Sequence, residues 1–313
     1  MSVPPDAPAW LWVACTIAAT GVQTARNAMQ RSLVDSLGTV GATHVRFLFG
    51  LPFGVLFLVV AAALADLRAL EPSARFVAWT ALGGVFQIAG TALMLAAMRA
   101  RSFVLAIAYV KTEPVQIALF GLVFLGERLS AQASVAVVLA TAGVLRMSLP
   151  SQRMRAADAA PNGVVLPRAM LLGIASGAMF ALSAVGFRGA ILALGDAPFY
   201  ARATATLAAS LALQTALLSA WLGWRERRVL VEILRLWRPS LLAGAAGALA
   251  SQLWFLAFSL QTAAAVRTVG LTEILFAQAV SHRLFSQQTT RREAIGMVAM
   301  VAGVLWLLWA GPA

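Results

Sequence analysis

The chain has 313 residues, 61% of them hydrophobic and only 12% charged, about half the charged share of a soluble domain. Apolar runs of 18 or more residues recur from end to end, which excludes an ordinary soluble domain and points to a polytopic helical membrane protein. The net charge of +12 comes mostly from arginines in short segments between those runs. There they meet lipid headgroups, so the bilayer is the expected partner and nucleic acid is not.

Ten candidate spans can be drawn in chain order: residues 10–29, 43–64, 76–98, 102–125, 132–149, 168–194, 198–222, 240–260, 263–285 and 293–310. Each is close to the roughly 20 residues needed to cross the hydrocarbon core. None shows the alternation of a barrel strand, so the fold class is an all-α polytopic membrane protein. The N-terminal residues lack a basic region ahead of the first run, which reads as a retained helix. Cys15, the single cysteine, excludes an intramolecular disulfide and a cysteine-based metal cluster.

Residues 150–167 hold three prolines and several charges and read as a linker. It divides the chain into a first five-helix unit, 1–149, and a second, 168–313. The other long connection, residues 225–238, spaces Val229, Ile233, Leu236 and Trp237 helically among arginines. Two readings stay open for it, a short helix on the membrane surface or a solvated charged loop.

The two units are internal repeats. At an offset of 160, Leu82 meets Leu242, Gly84 meets Gly244, Ala97 meets Ala257, and Thr112-Glu113 meets Thr272-Glu273. The run AGVL recurs at Ala142 to Leu145 and Ala302 to Leu305. Arg46 and Arg202 match at an offset of 156. Five crossings per unit is an odd number, so the second unit enters the membrane in the opposite sense. That arrangement, two inverted five-helix repeats making ten transmembrane helices, is characteristic of secondary transporters.

These repeats also carry motifs of a known family. Glu113-Pro114-Val115, then Gly126-Glu127-Arg128-Leu129-Ser130, then Ala142-Gly143-Val144-Leu145 resemble the EamA-type transporters of the drug/metabolite transporter superfamily. The second repeat departs from the pattern, with Ile274 for the proline and Ser286-Gln287-Gln288 for Gly126-Glu127-Arg128. The resemblance implies a ten-helix exporter or exchanger of small metabolites, amino acids or drugs in a bacterial inner membrane, with both termini cytoplasmic. Loop charge points the other way. With cytoplasmic termini, cytoplasmic loops would carry three arginines, Arg68, Arg75 and Arg128, and the opposite loops thirteen. The positive-inside bias therefore places both termini outside.

The candidate site residues are charges and aromatics inside the spans. Glu113 and Glu273 sit deep in apolar runs, where a charge costs roughly 2.5–3.5 kcal/mol on insertion scales. Such carboxyls suit proton exchange against a substrate, or they fasten helices in buried ion pairs. Lys111, the only lysine, is two residues from Glu113 and cannot pair with it along one helix. An ion pair with Glu273 is one option for it. Arg267 is a further counter-ion, and Arg26 and Arg188 could reach a cavity mouth. Arg46 and Arg202 lie near predicted helix starts, where headgroup anchoring competes with a site role. Pro114 should bend the fourth helix by freeing the Val110 carbonyl, which would line a cavity or only adjust packing. Tyr109 and Trp254 are the aromatics best placed for a pocket.

No cofactor, metal or catalytic motif is legible, and no ATPase motif supplies a driving force. The expected activity is secondary active transport of a small molecule, driven by a gradient and open to proton coupling. A lipid-handling protein or membrane enzyme using Glu113 and Glu273 as acid and base is the competing class.

Overall fold

The computed structural model describes residues 7–100, 109–148, 165–276 and 291–311. Every regular element among them is helical. In chain order they are α1 (Leu11–Leu48), α2 (Leu51–Leu64), α3 (Ala74–Ala100), α4 (Glu113–Leu125), α5 (Ala131–Ser148) and α6 (Val165–Leu192). There follow α7 (Phe199–Arg225), α8 (Arg227–Arg235), α9 (Trp237–Leu260), α10 (Ala263–Val269) and α11 (Arg291–Ala310). Helices close their backbone hydrogen bonds internally, which lipid demands of any spanning segment. Five helical stretches among the described residues are long and apolar enough to cross a bilayer, and α4, α5 and α11 are shorter apolar helices. The chain is a multi-pass integral membrane protein.

Several boundaries differ from those read in the sequence. The first two predicted spans divide elsewhere: the helix is broken by a kink at Gly38 (φ 67°, ψ 176°), resumes as far as Leu48, and after two turn residues α2 starts at Leu51. Gly38 permits this kink because that φ is strained for a residue with a Cβ. Arg46 lies eight residues beyond the kink, in the last turn of α1. The α6 helix begins at Val165, within the predicted linker. The rest of that linker, 102–108 of the fourth span, 277–285 of the ninth, and Ser286-Gln287-Gln288 lie outside the described residues.

The fourth span is interrupted where a bend was expected. Tyr109 and Val110 are helical, Lys111 and Thr112 form a turn, and α4 starts at Glu113. Pro114 therefore occupies the first turn of a helix, where its missing N–H has no partner to lose. The Val110 carbonyl faces Gly177 of α6, where an added Cβ would approach it to 2.9 Å. The ninth span breaks at the equivalent place, with Gly270–Thr272 in a 3-10 turn before Glu273. Both threonines seal these turns. Thr112 Oγ1 donates to the Tyr109 carbonyl (3.1 Å) and Thr272 Oγ1 to the Val269 carbonyl (2.8 Å), and the two pairs stand 160 residues apart.

Long packing interfaces join the first half of the chain to the second: α1 runs along α9, α3 along α6, and α5 along α11. The α5–α11 crossing is reciprocal. A Cβ on Gly143 would lie 2.5 Å from the Met300 nitrogen and 2.7 Å from the Gly296 carbonyl oxygen. A Cβ on Gly303 would meet the Ala140 nitrogen at 2.6 Å and the Ala136 carbonyl oxygen at 2.8 Å. Every residue in the second set is 160 from its counterpart in the first. Glycine is required at both places for the backbones to approach.

Polar side chains face inward and apolar ones outward, as lipid requires. Val55, Leu56, Val59 and Val60 of α2 are exposed, as are Val298, Leu305 and Trp309 of α11. The connection 225–238 is helical: in α8, Ile233 is buried and Val229 rests on Gly41 of α1. At its two ends Arg225 lies over Trp224 (4.4 Å) and Arg238 over Trp237 (5.4 Å). Both tryptophans are exposed, the composition of a membrane–water interface.

Gly143→Ala and Gly303→Ala should each destabilise the protein by about 1–3 kcal/mol through overpacking. The double variant should cost less than the sum, since both side chains push the same helices apart. Thermal unfolding in detergent micelles measures both, and additive losses would contradict a shared crossing.

Candidate functional site

The polar interior converges on one cavity at the centre of the helices. Its walls come from α1 (Gln23, Arg26, Asn27, Arg46), α3 (Gln87, Met94), the interrupted fourth span (Val110, Lys111, Glu113), α6 (Phe180, Ser183, Ala184, Phe187), α9 (Ser251, Trp254, Phe255, Phe258), Arg267 and Glu273. The free space among them is about 30 Å³, room for about one water, so the walls are nearly closed on one another.

Two ion pairs cross the cavity. The Lys111 ammonium donates to Glu273 Oε2, and both side chains are buried. Glu273 also accepts from Gln23 Nε2 (3.0 Å) and Asn27 Nδ2 (3.4 Å). Arg267 Nε lies 3.3 Å from Glu113 Oε1, within ion-pair reach but without the alignment of a hydrogen bond, since both atoms count as unpartnered donor and acceptor. Each glutamate thus meets a cation from the opposite repeat. Trp254 couples the two pairs: its indole N–H donates to Gln23 Oε1 (3.0 Å), and Arg267 stacks 4.2 Å over its ring.

Local sequence explains the placement. Each glutamate is at the start of a helical segment after a threonine-sealed turn, where the helix dipole favours an anion. The α9 face carries Ser251, Trp254, Phe255 and Phe258 at helical spacing. Arg46, buried to 3% exposure, donates Nη1 to Thr91 Oγ1 (3.3 Å) and Nη2 to Ser251 Oγ (3.1 Å). Those hydroxyls are again 160 residues apart, so one guanidinium bridges equivalent positions of α3 and α9.

Of the residues expected from sequence, Glu113, Glu273, Lys111, Trp254 and Arg46 line this cavity. Arg46 therefore does not sit at the headgroups: it occupies the last turn of α1, but its guanidinium is buried against Thr91 of α3 and Ser251 of α9. Arg202 lies elsewhere, half-buried, with Nη1 donating to the Gly195 carbonyl (3.3 Å). Tyr109 and Pro114 are buried but are not among the lining residues. Arg188 reaches the turn after α4 and pairs with Glu127 (2.8 Å) while also donating to the Phe258 carbonyl. Gln23, Asn27, Gln87 and Ser251 are additional wall residues. A legible signal for the first two was the polar series Thr16, Thr20, Gln23, Asn27 and Gln30, spaced four and three alternately along one helix face.

Lys111→Met should cost about 3–5 kcal/mol, the price of leaving a buried carboxylate without its cation. Adding Glu273→Gln should recover part of that loss, because a neutral amide still hydrogen-bonds Gln23 and Asn27. Unfolding in mixed micelles provides the double-mutant cycle, and purely additive losses would mean the two side chains do not interact.

Residues 9–149 match the EamA-like transporter family, which bears out the resemblance to the drug/metabolite transporter superfamily over the first half of the chain. No curated protein matches the sequence. Among solved structures, one crystal structure superposes with a TM-score of 0.64, covering 96% of this chain and 96% of its own at 15% identity. At that identity the likeness is one of fold.

Proposed function

We propose that the chain is a secondary active transporter that exports a small metabolite, amino acid or drug-like compound by alternating access. It is built as two five-helix repeats of opposite orientation, with ten crossings of a bacterial inner membrane. The observation that carries this reading is the crosswise pairing of Glu113 and Glu273 around one central cavity, each beside a break in its helix. Interrupted helices at the bilayer midplane place backbone and charge where a substrate must be bound and released. The reciprocal contacts of Gly143 and Gly303, and the pairing of α1 with α9 and α3 with α6, support a two-fold relation between the repeats. Membership of residues 9–149 in a transporter family supports the same class.

The glutamates also serve as the coupling groups: a proton that neutralises one releases its cation and loosens the contact between repeats. In liposomes enclosing a pH-sensitive dye, substrate-dependent proton movement should disappear in Glu273→Gln or Glu113→Gln, with folding intact. Substrate flux that survives in both variants without proton movement would reduce the pairs to structural fasteners.

Loop arginines support termini on the outside. In a Cys15→Ser background, Arg128→Cys should then react with a membrane-impermeant maleimide on intact cells, and Arg228→Cys only after permeabilisation. The reverse pattern would put the termini in the cytoplasm.

A further inference from the structure

The charges in the cavity wall do not balance. Four cations, Arg26, Arg46, Lys111 and Arg267, face two anions, Glu113 and Glu273, an excess of 4 − 2 = 2 positive charges. Lys111 and Arg267 are matched by the two glutamates. Arg26 and Arg46 form no ion pair among the described residues. Arg26 is 2% exposed and spends Nε and Nη2 on the neutral Asn27 Oδ1 (3.2 and 2.6 Å), leaving Nη1 buried without an acceptor. Arg46 donates to the hydroxyls of Thr91 and Ser251 and lies 5.3 Å over the Phe47 ring, and its Nε is also unpartnered. The two side chains rest on one small residue: a Cβ at Gly247 would lie 3.0 Å from Arg46 Cγ and 3.5 Å from Arg26 Cδ.

Two desolvated guanidiniums side by side repel each other, and both keep N–H donors unused in the wall of a pocket. Such donors match a carboxylate or phosphate geometrically as well as electrostatically. A cationic guest finds the opposite: both carboxylates are occupied, and the open acceptor, Glu113 Oε1, already faces Arg267. The same cavity is also lined by Phe180 and Phe187 of α6 and Phe255 of α9, with Phe187 and Phe255 ring centroids 4.6 Å apart. α1 contributes both guanidiniums that lack a carboxylate partner, whereas α6 contributes no charged residue to the lining.

Resting on the transporter reading, we propose that the cargo is an organic anion. The cavity, closed here to about 30 Å³, admits it when the walls part during alternating access. Its carboxylate or phosphate is then held between Arg26 and Arg46, and its flat apolar body lies against Phe180, Phe187 and Phe255.

The test uses the full-length protein in detergent with four probes of similar bulk: indole-3-acetate, phenyl phosphate, tryptamine and indole. Binding is read by thermal shift and by tryptophan fluorescence. At least one of the two anions should bind about 10-fold or more tightly than tryptamine and indole, and which one separates a carboxylate from a phosphate cargo. Arg46→Gln should weaken anion binding about 10- to 100-fold, as expected for losing a charge-assisted contact. Arg46→Lys should retain part of it, and Arg235→Gln on exposed α8 should change nothing. On the wild-type protein, the bound anion should protect Arg26 and Arg46 from phenylglyoxal, mapped by mass spectrometry, with no need for a variant to fold. Tryptamine binding as tightly as either anion, no anion binding at millimolar concentration, or no protection of these arginines would each overturn the proposal. Liposome flux separates it from the wider reading. Anion binding without flux removes the transporter and keeps the anion site, whereas flux of tryptamine or indole without anion binding does the reverse.

Discussion

The cost of holding charge inside lipid governs this structure. A lone ionised side chain at bilayer depth is unfavourable by several kcal/mol, and a buried pair offsets that only with good geometry and further hydrogen bonds. Glu273 meets this condition with an ammonium and two side-chain amides. Glu113 meets it less completely, through one guanidinium that lies close but poorly aligned. The two pairs are alike in logic and unequal in strength. The contact between Glu113 and Arg267 is therefore the looser of the two fastenings between repeats, and the one that a guest in the cavity disturbs at lower cost.

Because each pair joins opposite repeats, the ionic network and the packing of the helices constrain the same relation. Trp254 makes the link explicit, touching Gln23 of the first repeat by its N–H and Arg267 of the second by its face. The turns before the glutamates set where the charges point. A continuous helix would carry Lys111 and Glu113 on different faces; the turn at Lys111 and Thr112 lets both enter one cavity. Mid-helix turns of this kind commonly mark hinges, and here the hinge residues are immediate neighbours of the charged ones.

The helical class and both buried glutamates were readable in the sequence, because burying a charge twice in apolar runs needs a reason that apolar composition cannot supply. Thr112 and Thr272 were visible as half of a repeated dipeptide, yet their part in sealing a turn depends on backbone geometry that hydropathy does not encode. Pro114 misled for the same reason. A proline inside an apolar run bends a helix only if the helix continues through it, and here a new one begins. Hydropathy falls between the first two runs and so puts Arg46 near a helix start; in the structure helix resumes directly after the kink at Gly38, which places the arginine eight residues into it with its side chain buried. The α1 polar stripe was the signal in plain view, obscured because glutamine and asparagine add little to a charge count.

The two halves of the chain match at offsets of 156 to 160 and differ in chemistry at matched positions. Gly38, at the kink of α1, and Gly195, three residues after α6, both take positive φ (67° and 75°) and stand at an offset of 157. On that alignment Gln23 corresponds to Phe180, Arg26 to Ser183 and Asn27 to Ala184, and all six line the cavity. One helix thus supplies hydrogen-bonding and charged groups where its counterpart supplies a phenylalanine and small residues. An exact two-fold site would present the same chemistry on both sides and would suit a symmetric guest. On the proposed transporter reading, divergence at matched positions would orient an amphipathic guest within a frame whose two halves rock against each other. The backbone relation would then serve movement and the side-chain asymmetry recognition, and because they reside in different atoms of the same residues, each could change without the other.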